Sequence, residues 1–120
     1  MRQEIVKVSP WDPISSLTYE MIKEDIGAVI VIDNGIPVGI ITEKDILERV
    51  LTPGKDVYKT SAKDVMSRPV ISIEANSPLR EALELMKRYK IRRLVVKENE
   101  SIVGLVTERR LLAKMCNMII

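Results

Sequence analysis

Apolar positions recur along this chain in two periods, helical and alternating, and the two periods follow each other in the same order twice. Behind Asp12-Pro13, the residues Ile14, Leu17, Met21 and Ile22 fall at helical spacing; behind Ser77-Pro78, Leu79, Leu83 and Met86 do the same. Each predicted helix has one apolar face to bury. Each start pairs a capping side chain with a proline whose missing N–H costs nothing in the first turn. Next come short apolar runs, Ala28 to Ile32 and Leu94 to Val96, followed by Asp33-Asn34-Gly35 and Glu98-Asn99-Glu100, a pattern that predicts two hairpins. The returning strands, Ile36 to Ile41 and Ile102 to Val106, lead into Thr42 and Thr107. Helical spacing then resumes at Ile46, Leu47, Val50 and Leu51 and at Leu111, Leu112 and Met115, and first strands are placed near Ile5 to Val8 and Val70 to Ile73.

This order is an internal repeat. A shift of 65 lays Pro13 on Pro78 and runs without a gap to Leu47 on Leu112, with Ile26 on Ile91, Val31 on Val96, Asn34 on Asn99, Gly39 on Gly104 and Thr42-Glu43 on Thr107-Glu108. About ten of the 35 positions are identical and most others keep apolar opposite apolar, which is what duplication of one packing unit leaves. Thr52 to Lys59 lacks the periodicity, contains Pro53-Gly54, and reads as a linker. Residues 1–60 are therefore taken as the first repeat with its linker and 61–120 as the second. A unit of about 55 residues is marginal alone, because its small sheet keeps an open apolar face. The expected fold is α/β, more closely α+β: two pseudo-twofold related strand-helix-strand-strand-helix units packed sheet to sheet.

Composition narrows the chemistry. Hydrophobic residues make up 46% and charged residues 30% of the 120, the balance of a folded globular chain. Histidine is absent and Cys116 is the single cysteine, so the commonest metal ligand, the commonest neutral-pH acid/base and any internal disulfide are removed. No catalytic or metal site is expected, and the chain is read as no enzyme. No apolar run approaches the roughly 20 residues of a membrane span. Met1 to Val8 already carries Arg2, Glu4 and Lys7, so neither a signal peptide nor a membrane partner is expected and a cytoplasmic location is the default. The net charge of +2 divides unevenly: 7 Lys and Arg against 10 Asp and Glu up to residue 60, and 12 against 7 beyond it. The second half is the place to seek an anion-binding surface.

Gly39-Ile40-Ile41-Thr42-Glu43-Lys44-Asp45 resembles the Gly-h-h-Thr-x-x-Asp signature of CBS domains, where h is apolar. Asp64-Val65-Met66 before Pro69-Val70 resembles the segment that opens many such units, and Ile91 to Val96 resembles their middle strand. The likeness covers nearly the whole chain, in duplicate. It implies a tandem CBS pair (a Bateman module): a regulatory unit with clefts for AMP, ADP, ATP or S-adenosylmethionine, no required cofactor, and a tendency to form homodimers. No regulated domain accompanies the pair, so regulation is expected in trans.

Carried over residue by residue, the resemblance implies that Thr42 contacts ribose or phosphate, that Asp45 accepts the ribose hydroxyls, and that Ile26, Ala28 and Ile40 line the base pocket. An acceptor-only carboxylate suits a vicinal diol, and bonds to a charged acceptor contribute about 1.5 to 3 kcal/mol each. In the second repeat Thr107 is kept, but Arg110 stands where the ribose acid is expected, so that cleft should be weaker, empty, or occupied by a more phosphorylated group. Arg92 and Arg93 match phosphate-contacting positions, Arg93 for its own cleft and Arg92 for the shared one.

Plainer explanations stand beside each of these. Thr42 with Asp45 is also a helix-capping arrangement. Lys87, Arg88 and Lys90 beside Arg92 and Arg93 are also a solvated basic helix end. Nucleic acid is not expected, since aromatics are 3% and no recognition motif is present. Met118, Ile119 and Ile120 read as core or a dimer contact, and Trp11 as packing. The competing function is a ligand-free interaction or scaffolding module with the same fold.

Overall fold

A computed structural model describes the backbone of residues 5–119 and the side chains through Lys114. The expectation for Met118 to Ile120 lies outside the described side chains. The structure is mixed α/β with two three-stranded sheets, and its contacts divide into two compact units between Val70 and Ile71.

In the first unit, β1 (Lys7–Val8) pairs in parallel with β2 (Ala28–Asp33), and β2 pairs antiparallel with β3 (Ile36–Thr42). The helix α1 (Ile14–Glu24) crosses between β1 and β2. The two central turn residues, Asn34 (φ 52°) and Gly35 (φ 79°), are both left-handed, the hairpin turn whose twist matches that of the strands. Strand alternation sends Val29, Val31 and Ile41 into a core with Ile14, Leu17, Met21, Ile46 and Val50, while Ala28, Ile30, Ile40 and Thr42 share the opposite face.

Two expectations for α1 are corrected. Ile22 is 81% exposed: it lies roughly 100° around the helix from Met21, off the stripe formed by Ile14, Leu17 and Met21. The side-chain cap is also missing, because Pro13 itself, in an extended conformation, occupies the position before the helix. The carboxylate of Asp12 accepts instead from the Ser9 N–H. The first free N–H groups of α1 are satisfied by the linker, Ile14 donating to the Thr60 carbonyl at 2.9 Å and Ser15 to that of Val57 at 3.0 Å.

After β3 the chain forms α2 (Glu43–Ile46), which widens into a π-helical turn at Leu47–Leu51, and then α3 (Ala62–Val65). Ile46 and Val50 are buried there, but Leu47 and Leu51, both expected on the apolar face, stand half out to solvent. The segment after the linker is bonded into this same unit: Ala62 and Lys63 donate to the carbonyls of Asp12 and Pro10, and Ser67 exchanges two backbone bonds with Ile40. Close approach at that edge requires a glycine, because a Cβ on Gly39 would overlap the side chain of Met66. Trp11, expected as packing, is 69% exposed and carries the Lys63 ammonium 5.0 Å from its ring centre.

The second unit repeats the plan with β4 (Ser72–Glu74), α4 (Leu79–Tyr89), β5 (Arg93–Glu98), β6 (Ser101–Thr107) and α5 (Glu108–Ile119). Its core gathers Ile73, Ala82, Met86, Leu94, Val96, Val106 and Leu111, while Leu112 is half-exposed. Ser77 provides no side-chain cap either; Pro78 again precedes the helix and its carbonyl accepts from Glu81. Among the described residues no helix is long and apolar enough to cross a membrane, and no cluster of three or more His, Cys, Asp or Glu could hold a metal ion.

Candidate functional site

β3 ends at Thr42, whose extended backbone makes it the cap of α2. The Thr42 hydroxyl accepts from the Asp45 N–H at 3.2 Å, and the Asp45 carboxylate accepts from the Thr42 N–H at 2.9 Å, so each satisfies one free donor of the helix start. The capping arrangement weighed from the sequence is therefore present in full. It leaves the carboxylate with spare capacity, since an ionised carboxyl has about four acceptor positions.

Two residues that the sequence did not single out also converge on Asp45. The Ser67 hydroxyl donates to Asp45 Oδ1 at 3.2 Å, from the strand-like segment paired with Ile40. Arg49 places Nη2 3.9 Å from the same oxygen, while its Nη1 donates to the carbonyls of Val65 at 2.7 Å and Met66 at 3.3 Å. The spacing of Asp45 and Arg49, one helical turn, is the sequence signal that could have found the pair. Ser67 has no such signal, because only the folding back of residues 61–70 onto β3 brings it there.

The other expected residues of this repeat fall as follows. Ala28 lies directly opposite Thr42 in the β2–β3 ladder, and Ile40 lies opposite Ile30 on the same face, so Ala28, Ile40 and Thr42 form one patch. Thr42 and Ile40 are buried and Ala28 is half-buried. Ile26 lies just before β2 and lines a different feature, an open cavity of about 470 Å³ formed with Thr18, Met21, Ile22, Glu43 and Leu47. None of Ala28, Ile40, Thr42 and Asp45 lines that cavity.

In the second unit Thr107 again caps its helix, accepting from the Arg110 N–H at 3.2 Å. Arg93 lies directly opposite Thr107, the place Ala28 holds opposite Thr42. The Arg92 side chain is exposed, and its carbonyl accepts from the Glu108 N–H at 2.9 Å, beside the start of α5. Arg93, Thr107 and Arg110 thus share one corner, and Arg92 adjoins it. At the three aligned positions where the first unit has Gly27, Ala28 and Asp45, the second has Arg92, Arg93 and Arg110.

A family model described as "CBS domain" matches residues 1–52 and 62–117. Among curated proteins, an uncharacterised protein of Methanopyrus kandleri is 35% identical over 113 residues, covering 92% of this chain and 58% of its own length. The CBS domain-containing protein YhcV of Bacillus subtilis is 32% identical over 106 residues, covering 88% of this chain and 75% of its own. The crystal structure of an uncharacterised conserved protein from Pyrococcus horikoshii superposes with a TM-score of 0.72 at 30% identity, over 92% of this chain and 84% of that one. The chain thus spans only part of the first of these relatives.

Proposed function

The chain belongs to the CBS-domain family, as a tandem pair, and from that premise we propose that it is a regulatory module that binds an adenine nucleotide or S-adenosylmethionine, catalyses nothing and acts on a partner in trans. In this reading it works in the cytoplasm as a homodimer. A tandem CBS pair is a regulatory arrangement; the adenosyl ligand is what the site adds.

The observation that carries the ligand is the Asp45 carboxylate. It is 13% exposed and held in place at the start of α2 by Thr42 and Ser67. Its remaining acceptor positions suit two neighbouring ribose hydroxyls. Ala28 and Ile40 supply an apolar patch for a base beside it; within the second unit, the corner with Arg92, Arg93 and Arg110 gathers cations that suit an anion of its own.

Thermal unfolding with AMP, ATP and S-adenosylmethionine tests this. A ligand at 100 times its Kd stabilises the fold by about 2.7 kcal/mol, which raises Tm by several degrees. Asp45→Ala is expected to abolish that rise. A variant that melts lower but responds fully to ligand would reduce Asp45 to a helix cap.

A second reading, a ligand-free interaction module, draws on a different observation. Tyr19, Ile22, Leu47 and Leu51 of the first unit are all more than half exposed, and Ile22 and Leu47 line the 470 Å³ cavity. No rise in Tm with any of the three compounds would favour it.

A further inference from the structure

We infer that Ser67 and Arg49 are positioning residues for Asp45, and that they set the preference of the site for a ribose over a 2′-deoxyribose. The inference deepens the proposed function and rests on the reading that Asp45 receives the sugar.

A carboxylate at the start of a four-residue helix has one firm attachment there, the bond from the Thr42 N–H to Oδ2. That bond alone leaves the carboxyl plane free to turn about it. The second oxygen is met by the Ser67 hydroxyl at 3.2 Å, from outside the helix, and by the Arg49 guanidinium at 3.9 Å, from the helix's π-helical continuation. Ser67 is itself held in place, because its N–H donates to the Ile40 carbonyl at 2.8 Å and its carbonyl accepts from the Ile40 N–H at 3.1 Å. Arg49 ties down the preceding two carbonyls, Val65 and Met66. The orientation of Asp45 is thus set by residues 65–67, a segment distant in sequence from the cap.

Orientation matters more for a diol than for one hydroxyl. Two adjacent hydroxyls are accepted together only when both carboxylate oxygens are presented at once, and a single hydroxyl is accepted over a wider range of angles. Losing the Ser67 hydroxyl should therefore weaken a ribonucleotide and leave its 2′-deoxy analogue nearly unaffected. A role confined to general stability would weaken both alike.

The test is isothermal titration of the full chain with AMP and 2′-deoxy-AMP, and with ATP and 2′-deoxy-ATP. Wild type is expected to prefer the ribose compound by about tenfold, the effect of one bond to a charged group. Ser67→Ala should reduce that preference to less than about twofold by lowering ribose affinity, and Ser67→Thr, which keeps the hydroxyl, should restore it. Arg49→Gln should reduce the preference in the same direction and to a smaller extent. If wild type discriminates and Ser67→Ala discriminates equally, the inference is overturned while the ligand reading stands. If wild type binds none of the four, the ligand reading falls and takes the inference with it.

Discussion

The two units follow one backbone plan down to its irregularities and then use it for different chemistry. Both hairpins carry a break in register, between Val31 and Ile32 and between Val96 and Lys97, and both crossing helices run for 11 residues and end on a left-handed residue, Asp25 or Lys90. Positions that the copies share, such as Pro13 and Pro78, Val31 and Val96, or Gly39 and Gly104, belong to this frame. Positions that diverge carry the difference. The acid at the first cap becomes Arg110 at the second, and Gly27 and Ala28 become Arg92 and Arg93. The apolar and turn residues thus specify the unit, and a few exchanges on its surface set the charge each copy presents at the start of the helix that follows its hairpin.

The comparison breaks most sharply in the core. Leu17 and Ala82 are aligned and both fully buried, so the same helix face is filled by a large residue in one copy and a small one in the other. Leu17→Ala gives the first unit the residue of the second without the packing that surrounds it there. It should cost about 2 to 5 kcal/mol, the loss of a buried leucine plus the cavity left behind, read from urea unfolding at constant slope. A cost under about 1 kcal/mol would mean that the site collapses freely and that the two cores are interchangeable.

The caps give a finer contrast. Thr42 is buried and bonded reciprocally with Asp45, whereas Thr107 is half-buried and faces an arginine in the acid's place. Thr42→Ala should cost about 1 to 2 kcal/mol and Thr107→Ala about 0.5 to 1 kcal/mol by the same measurement. Equal costs would show that the reciprocal bond to Asp45 adds nothing to the start of α2.

Much of this was legible before any coordinates. The repeat, the hairpins with their turns, and the Thr42–Asp45 corner follow from period, turn chemistry and cap spacing, which are local. What escaped was mostly non-local. Carbonyls of the linker, not the side chain of Asp12, meet the N–H groups of α1, because residues 56–67 fold back across the first unit. Ser67 reaches Asp45 by the same route, from 22 positions further along the sequence. The exposure of Leu47 also escaped, and Leu112 at the aligned position of α5 is exposed to nearly the same degree, since each lies about 100° around its helix from the buried Ile46 or Leu111. Residue type alone places Trp11 in packing, and its outward position against Lys63 depends on that same folded-back segment.

The smallest difference between the copies lies at the hairpin tips. Both turns need two left-handed residues; the first uses Asn34-Gly35 and the second Asn99-Glu100, with Glu100 at φ 74°. Asparagine tolerates that region and glycine adopts it freely, but a glutamate there carries a steric cost of about 1 to 2 kcal/mol. Replacing it with glycine removes this cost while giving back part of it through the greater freedom of the unfolded chain. Glu100→Gly should therefore stabilise the protein by about 0.5 to 1 kcal/mol, and Gly35→Glu should cost a similar amount, both read as shifts in the urea midpoint. Loss of stability on Glu100→Gly would mean that the glutamate side chain contributes more at the tip than its backbone costs, and the two turns would then differ in kind.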